Sequence, residues 1–110
     1  MEELVATPER QTKAQARLTE LGAPAVAAII RAMDDRRPLA SPYIALTNKA
    51  KDAFEGSRQY SPKLVVDALA AILNQITGER FGFIYNGASG AERAQCAAGW
   101  RIYAREIARR

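Results

Sequence analysis

Thr77-Gly-Glu-Arg-Phe-Gly-Phe-Ile-Tyr-Asn-Gly-Ala-Ser-Gly-Ala-Glu92 is the stretch on which the reading of this chain turns. It leaves one helix, crosses a loop of glycines and aromatics, and enters another helix. Gly78 follows a long apolar run and suits the left-handed conformation that ends a helix. Ser89 and Glu92 have capping-box spacing: the hydroxyl can accept from the Glu92 N–H while the carboxylate accepts from the Ser89 N–H. Beyond them Cys96, Trp100, Tyr103 and Ile107 recur at intervals of four, three and four, which is one face of a helix. The spacing predicts an amphipathic helix over 90–108 that closes the domain. Arg93, Arg101, Arg105, Arg109 and Arg110 are expected mainly off that face, the last of them at the negative end of the helix dipole.

Inside the loop, Phe81, Phe83 and Tyr85 alternate with Gly82 and Ile84. A lone strand has no pairing partner here, so the loop is expected to fold back and lay its aromatics over the helix ends. Asn86-Gly87 marks a tight turn. The aromatics read either as plugs for the core or as a binding surface. On the second reading Phe83 and Tyr85 are candidate binding residues.

Moving toward the N-terminus, Leu64, Val65, Ala68, Leu69, Ile72, Leu73 and Ile76 form a wide apolar arc, predicting the central and most buried helix. Asp67 and Asn74 are expected at its exposed margin. Ser61-Pro62 reads as its N-cap and first residue. Thr7-Pro8 repeats that signature for an earlier helix with Ala14, Leu18 and Leu21 as its buried stripe, ended by Gly22. Pro24 opens the next helix, with Val26, Ile29, Ile30 and Met33 inward. The link of about two residues predicts an antiparallel hairpin. Asp34 to Pro38 end the second helix. Residues 1–6 form a helical turn or an arm. Residues 38–60 are irregular: Pro38 and Pro42 constrain the backbone, a helix over about 42–54 is one reading, and Gly56-Ser57 would break it.

With 110 residues, the expectation is one domain spanning 1–110. The net charge is +4 with a pI near 9.6, compatible with nucleic acid, yet the cations form no dense block. The chain has no histidine, which excludes Ser/His/Asp triads and histidine acid–base catalysis. Its single cysteine, Cys96, excludes an internal disulfide and a zinc cluster. It lacks the neighbouring histidine a nucleophile uses and reads as a small buried hydrophobe. Asp34 and Asp35 diverge by about 100° on a helix and do not pair. Gly82 and Gly87 precede no Gly-Lys-Ser/Thr, so there is no phosphate loop. The expectation is therefore a non-enzyme with no cofactor and no metal, although lysine, tyrosine or carboxylate chemistry stays open. The start, Met-Glu-Glu-Leu-Val, has no basic region ahead of an apolar run, and no run approaches the ~20 residues of a membrane span. A cytoplasmic protein with no membrane partner is expected.

Two segments carry a resemblance. The two proline-led helices start 38 residues apart at Pro24 and Pro62, close to the ~40–47-residue period of stacked helix pairs. Leu21-Gly-Ala-Pro-Ala-Val-Ala-Ala-Ile-Ile-Arg-Ala-Met33 resembles the turn and second helix of HEAT repeats. Leu73 through Phe83, with Glu92-Arg and Gly99-Trp-Arg, is similar to the terminal segment of bacterial HEAT-like proteins. There a Thr-Gly-x-x-Phe-Gly loop, an Asn-containing turn and a Trp-Arg helix close the array. The resemblance implies an all-α fold, a short HEAT-like array of antiparallel helix pairs with a C-terminal capping helix, and a scaffold that binds along a helical surface. Residues 36–60 depart from a standard repeat.

From size, helical make-up and missing catalytic groups, with no motif behind it, the expected function is a non-catalytic protein-binding module, an immunity or inhibitor protein that occludes a partner toxin or enzyme. Its binding surface is expected on Arg36, Arg37, Tyr43, Lys49, Lys51, Arg58 and Tyr60, with Phe83 and Tyr85. The bland alternative is a solvated loop with two tyrosines packed down. The alternative from another class is a nucleic-acid binder, with Arg36, Arg37, Lys49, Lys51, Arg58 and Lys63 converging on a phosphate backbone.

Overall fold

Every residue of Val65–Ile76 is buried, so the helix α4 (Val65–Thr77) is the axis about which the chain is wound. The computed structural model describes residues 2–47 and 57–108, with the side chains of 47 and 57–59 outside the description. Around α4 lie α1 (Glu3–Ala6), α2 (Pro8–Leu21), a 3₁₀ turn at Ala23–Ala25, α3 (Val26–Arg31) and α5 (Gly90–Ala108). Two short strands, β1 (Ile44–Thr47) and β2 (Ser57–Tyr60), form an antiparallel ribbon with Ile44 opposite Tyr60 and Leu46 opposite Arg58.

The bulk of the fold is helical, as expected, but the ribbon corrects the helix considered over 42–54. Ile44 and Leu46 are buried while Tyr43 and Ala45 face solvent, a period of two that suits a half-buried strand. The Phe54 and Gly56 readings lie outside the described residues. The proline-bearing approach to the ribbon is held by backbone bonds. Ala40 N–H donates to Leu4 O (3.0 Å), Leu39 N–H to Lys63 O (3.2 Å) and Val65 N–H to Arg37 O (2.9 Å).

These same bonds explain why α4 starts three residues later than Ser61-Pro62 suggests. Residues 61–64 are drawn out beside 37–39, with a bridge between Pro38 and Leu64. The cap is supplied instead by Asp67, whose Oδ2 accepts from the Lys63 N–H (3.0 Å) and the Leu64 N–H (3.1 Å). Asp67 is fully buried, not marginal as expected. Its partner is Arg93, likewise drawn in: Nε donates to Oδ1 at 2.7 Å and Nη2 to Oδ2 at 2.8 Å. This two-pronged pair ties the first turn of α5 to the first turn of α4.

The other caps follow the chain's local chemistry. Thr7 Oγ1 accepts from the Arg10 N–H at 3.1 Å. Ser89 and Glu92 exchange both expected bonds, at 3.0 and 3.1 Å, and the backbone and hydroxyl bonds of Ser89 hold the Glu92 carboxyl below its usual range. Gly78 ends α4 at φ 79°, donating to Asn74 O at 2.8 Å.

The helix α2 corrects another expectation. Its core face carries Gln11, Gln15 and Thr19, all buried, while Leu21 is 53% exposed. The polar face is used: Gln11 Nε2 donates to Ser41 O (2.9 Å) and to Gln15 Oε1 (2.9 Å), and Gln11 Oε1 accepts from the Ser41 N–H (2.6 Å). One side-chain amide thus satisfies the backbone of the irregular segment, which has no helix or sheet to pair with there. Across the Gly22 link the two helices share α4 but otherwise choose different partners, α2 packing on α1 and β1, and α3 on α5. The inward positions Val26, Ile29, Ile30 and Met33 are buried as expected.

On α5, Cys96 and Trp100 are fully buried, Tyr103 is half-buried and Ile107 is 39% exposed, so only the first half of the expected face is core. Phe81 lies over Gly99 and meets the edge of Trp100 (4.8 Å between centroids). A methyl group at Gly99 would stand 2.6 Å from Phe81 Cβ. Gly99→Ala is expected to destabilise by about 1–3 kcal/mol, despite a helix-propensity gain of up to about 1 kcal/mol. A thermal melt checks the sign.

Candidate functional site

Where α4 ends, the chain opens a cavity of about 380 Å³ lined by Tyr60, Asn74, Gly78, Arg80, Phe83 and Tyr85. Each lining group is placed by a feature already described. Tyr60 is the last residue of β2, and Asn74 sits in the last turn of α4. The left-handed turn at Gly78 sends the chain across the helix end. Gly82, at φ 100°, then reverses the local direction, so Phe81 and Phe83 do not share a face. Phe81 goes to Trp100. Phe83 goes to Tyr85, with centroids 5.0 Å apart, and Tyr85 meets Tyr60 at 5.3 Å, both edge-on. Asn86 Oδ1 accepts from the Ser61 N–H at 2.8 Å, and Gly87 N–H closes the turn on Ile84 O at 3.0 Å, anchoring the loop.

The two readings of the aromatics therefore divide between residues. Phe81 and Tyr85 are packed down, whereas Phe83 is 58% exposed. Beneath the cavity the polar groups are linked: Gln75 Nε2 donates to Tyr60 OH and to Asn74 Oδ1 (3.3 Å), and Asn74 Nδ2 donates to Glu79 O (2.9 Å). Gln75 is fully buried, and its Oε1 accepts from no described group.

Of the residues singled out from the sequence, Tyr60, Phe83 and Tyr85 come together here. The others do not. Arg37 is spoken for: it donates to Asp35 Oδ1 and Oδ2 through Nε (3.0 and 3.2 Å), to Asp35 Oδ2 through Nη2 (2.6 Å), and to both Glu2 oxygens through Nη1 (3.0 Å each). The hydrogen bonds from Arg37 hold the Asp35 carboxyl below its usual range, and Asp35 and Glu2 raise the guanidinium in turn. Arg36 is exposed, and Tyr43, 54% exposed, is not part of the cavity lining. Lys49, Lys51 and the side chain of Arg58 lie outside the described residues. Sequence reasoning missed Asn74 and Arg80. The signal for both is Gly78, because a left-handed helix stop brings the last turn and the following loop to one place.

Burial pushes the Cys96 thiol up to about 11, and Cys96 has no exposed surface. It is expected to resist a thiol-specific chromogenic disulfide in the folded protein at pH 8 and to titrate as one thiol per chain after unfolding. Rapid labelling of the native protein would contradict its burial. Among the described residues no group of three or more Cys, Asp or Glu side chains is placed to hold a metal ion, and no helix is long and apolar enough to cross a membrane. Comparison with protein-family models, with curated proteins and with solved structures gives no match to this chain.

Proposed function

We propose that this chain is a non-catalytic protein-interaction module, HEAT-like in construction, which acts by occluding a partner protein as an inhibitor or immunity protein does. The observation that carries the reading is the exposure of Phe83 at the mouth of the Tyr60–Tyr85 cavity. Large aromatics that remain in solvent beside a packed support are the residues that anchor protein interfaces. The loop that presents Phe83 is pinned at both ends, by Gly78 and by Asn86, so little ordering entropy stands against binding. Full burial of the one thiol and the missing histidine support the non-catalytic part of the reading. The HEAT-like part is carried by the sequence motifs, with the β1–β2 ribbon separating the first helices from the α4–α5 pair.

The nucleic-acid alternative finds less support, because Arg37, one of its six cations, is neutralised by Glu2 and Asp35. A phosphate backbone requires cations free to replace its counterions.

The test is retention of cell protein on immobilised wild-type chain and on Phe83→Ala, compared by quantitative mass spectrometry. The variant is expected to lose no more than a few degrees of melting temperature, since Phe83 contributes only an exposed edge contact of about 1 kcal/mol or less. It is also expected to lose at least tenfold of one specifically retained protein, about 1.4 kcal/mol of binding. Equal retention by both chains would remove Phe83 from the function.

A further inference from the structure

A cavity of about 660 Å³ forms a groove between α1 and α2, and its wall has the chemistry of a peptide-docking surface. Because α2 turns Gln11, Gln15 and Thr19 to the core, its apolar residues Ala14, Leu18 and Leu21 are left along the groove. Leu21 is 53% exposed, and Ala14 and Leu18 are only partly covered. Arg10, Lys13 and Arg17 line the same groove, at spacings of three and four residues that place them on one ridge of the helix beside that stripe, and against these three cations the groove sets one carboxylate, Glu3 of α1. All three are exposed, and among the described residues none is in an ion pair.

We propose that the α1–α2 groove is a docking site for an acidic amphipathic helix of a partner protein. Such a helix would lay its apolar stripe against Ala14, Leu18 and Leu21 and set carboxylates opposite Arg10, Lys13 and Arg17. The charge decides between occupants. A second copy would bring its own cationic ridge against this one, and like charges repel. An anionic bilayer needs apolar side chains that insert, and Leu21 is the one large apolar residue of α2 that is more than half exposed. The 14 residues of α2, ~21 Å at 1.5 Å per residue, set the partner helix at about three to four turns. The groove shares no lining residue with the Phe83 cavity, and the inference stands apart from the reading of that cavity.

The probe is a synthetic peptide of about fourteen residues with leucines at helical spacing on one face and glutamates elsewhere, titrated into the full chain by amide NMR. A second peptide carries glutamine for each glutamate. The acidic peptide is expected to shift the amide signals of α2, to bind at least about tenfold more tightly than the glutamine peptide, and to weaken as salt rises. Arg10→Glu with Arg17→Glu, or Leu21→Asp alone, should reduce its affinity about tenfold while leaving the melting temperature in place, because these side chains are exposed. Equal binding of the two peptides, no shift in α2, or shifts confined to the 80–86 loop would overturn the proposal. So would salt-sensitive binding of phosphatidylglycerol vesicles in place of the peptide, or self-association that Leu21→Asp abolishes.

Discussion

Asp67→Ala is expected to lower the stability of the fold by about 3–5 kcal/mol. Asp67 has no exposed surface and accepts four hydrogen bonds, two from backbone N–H groups at the start of α4 and two from Arg93. Removing it leaves the Arg93 side chain, itself 11% exposed, as a buried charge without its counter-ion, and opens the cap of the central helix as well. The loss would be a large share of the 5–15 kcal/mol typical of a domain. Urea unfolding followed by circular dichroism measures it. Because the two residues share bonds, Arg93→Met with Asp67→Leu is expected to cost less than the two single changes added together. A loss below about 1 kcal/mol for Asp67→Ala would mean that water reaches the pair.

Trp100→Ala is expected to cost about 3–5 kcal/mol. The indole is fully buried, and its faces and edges meet Phe81 at 4.8 Å and Tyr103 at 5.3 Å, both close to perpendicular. Truncation leaves a cavity that these rings cannot close, since Phe81 is already seated on Gly99. Trp100→Phe, which keeps an aromatic in the space, is expected to lose less. As the chain has one tryptophan, the melt must be followed by circular dichroism and not by indole fluorescence. A near-neutral Trp100→Ala would place the indole outside the core.

What is legible in the chain is what depends on neighbours in sequence. The Ser89–Glu92 and Thr7 caps, the Gly78 stop, the extent of α5 and the burial of α4 all follow from local residue types and from spacings of three and four residues. What is not legible depends on distant partners. Asp67 reads as a margin residue until Arg93, 26 positions on, is seen to face it. Ala14, Leu18 and Leu21 read as the buried stripe of α2 until the backbone at Ser41 is seen to need the Gln11 amide. The β1–β2 ribbon is hidden because Ile44 and Leu46 are too short a run to announce a strand. Of the site, the aromatics Tyr60, Phe83 and Tyr85 are visible as residue types. Only the turn at Gly82 sorts Phe83, which is exposed, from Phe81, which is packed.

If α4 is the core against which α2, α3, β1 and α5 pack, native-state hydrogen exchange must show it. The amides of Val66–Thr77 are expected to exchange only through global unfolding, while those of α1 and the exposed face of α2 open locally at lower free energy. Exchange from α4 as fast as that from Glu3–Ala6 would contradict this arrangement, and with it the rigid support on which Phe83 is presented.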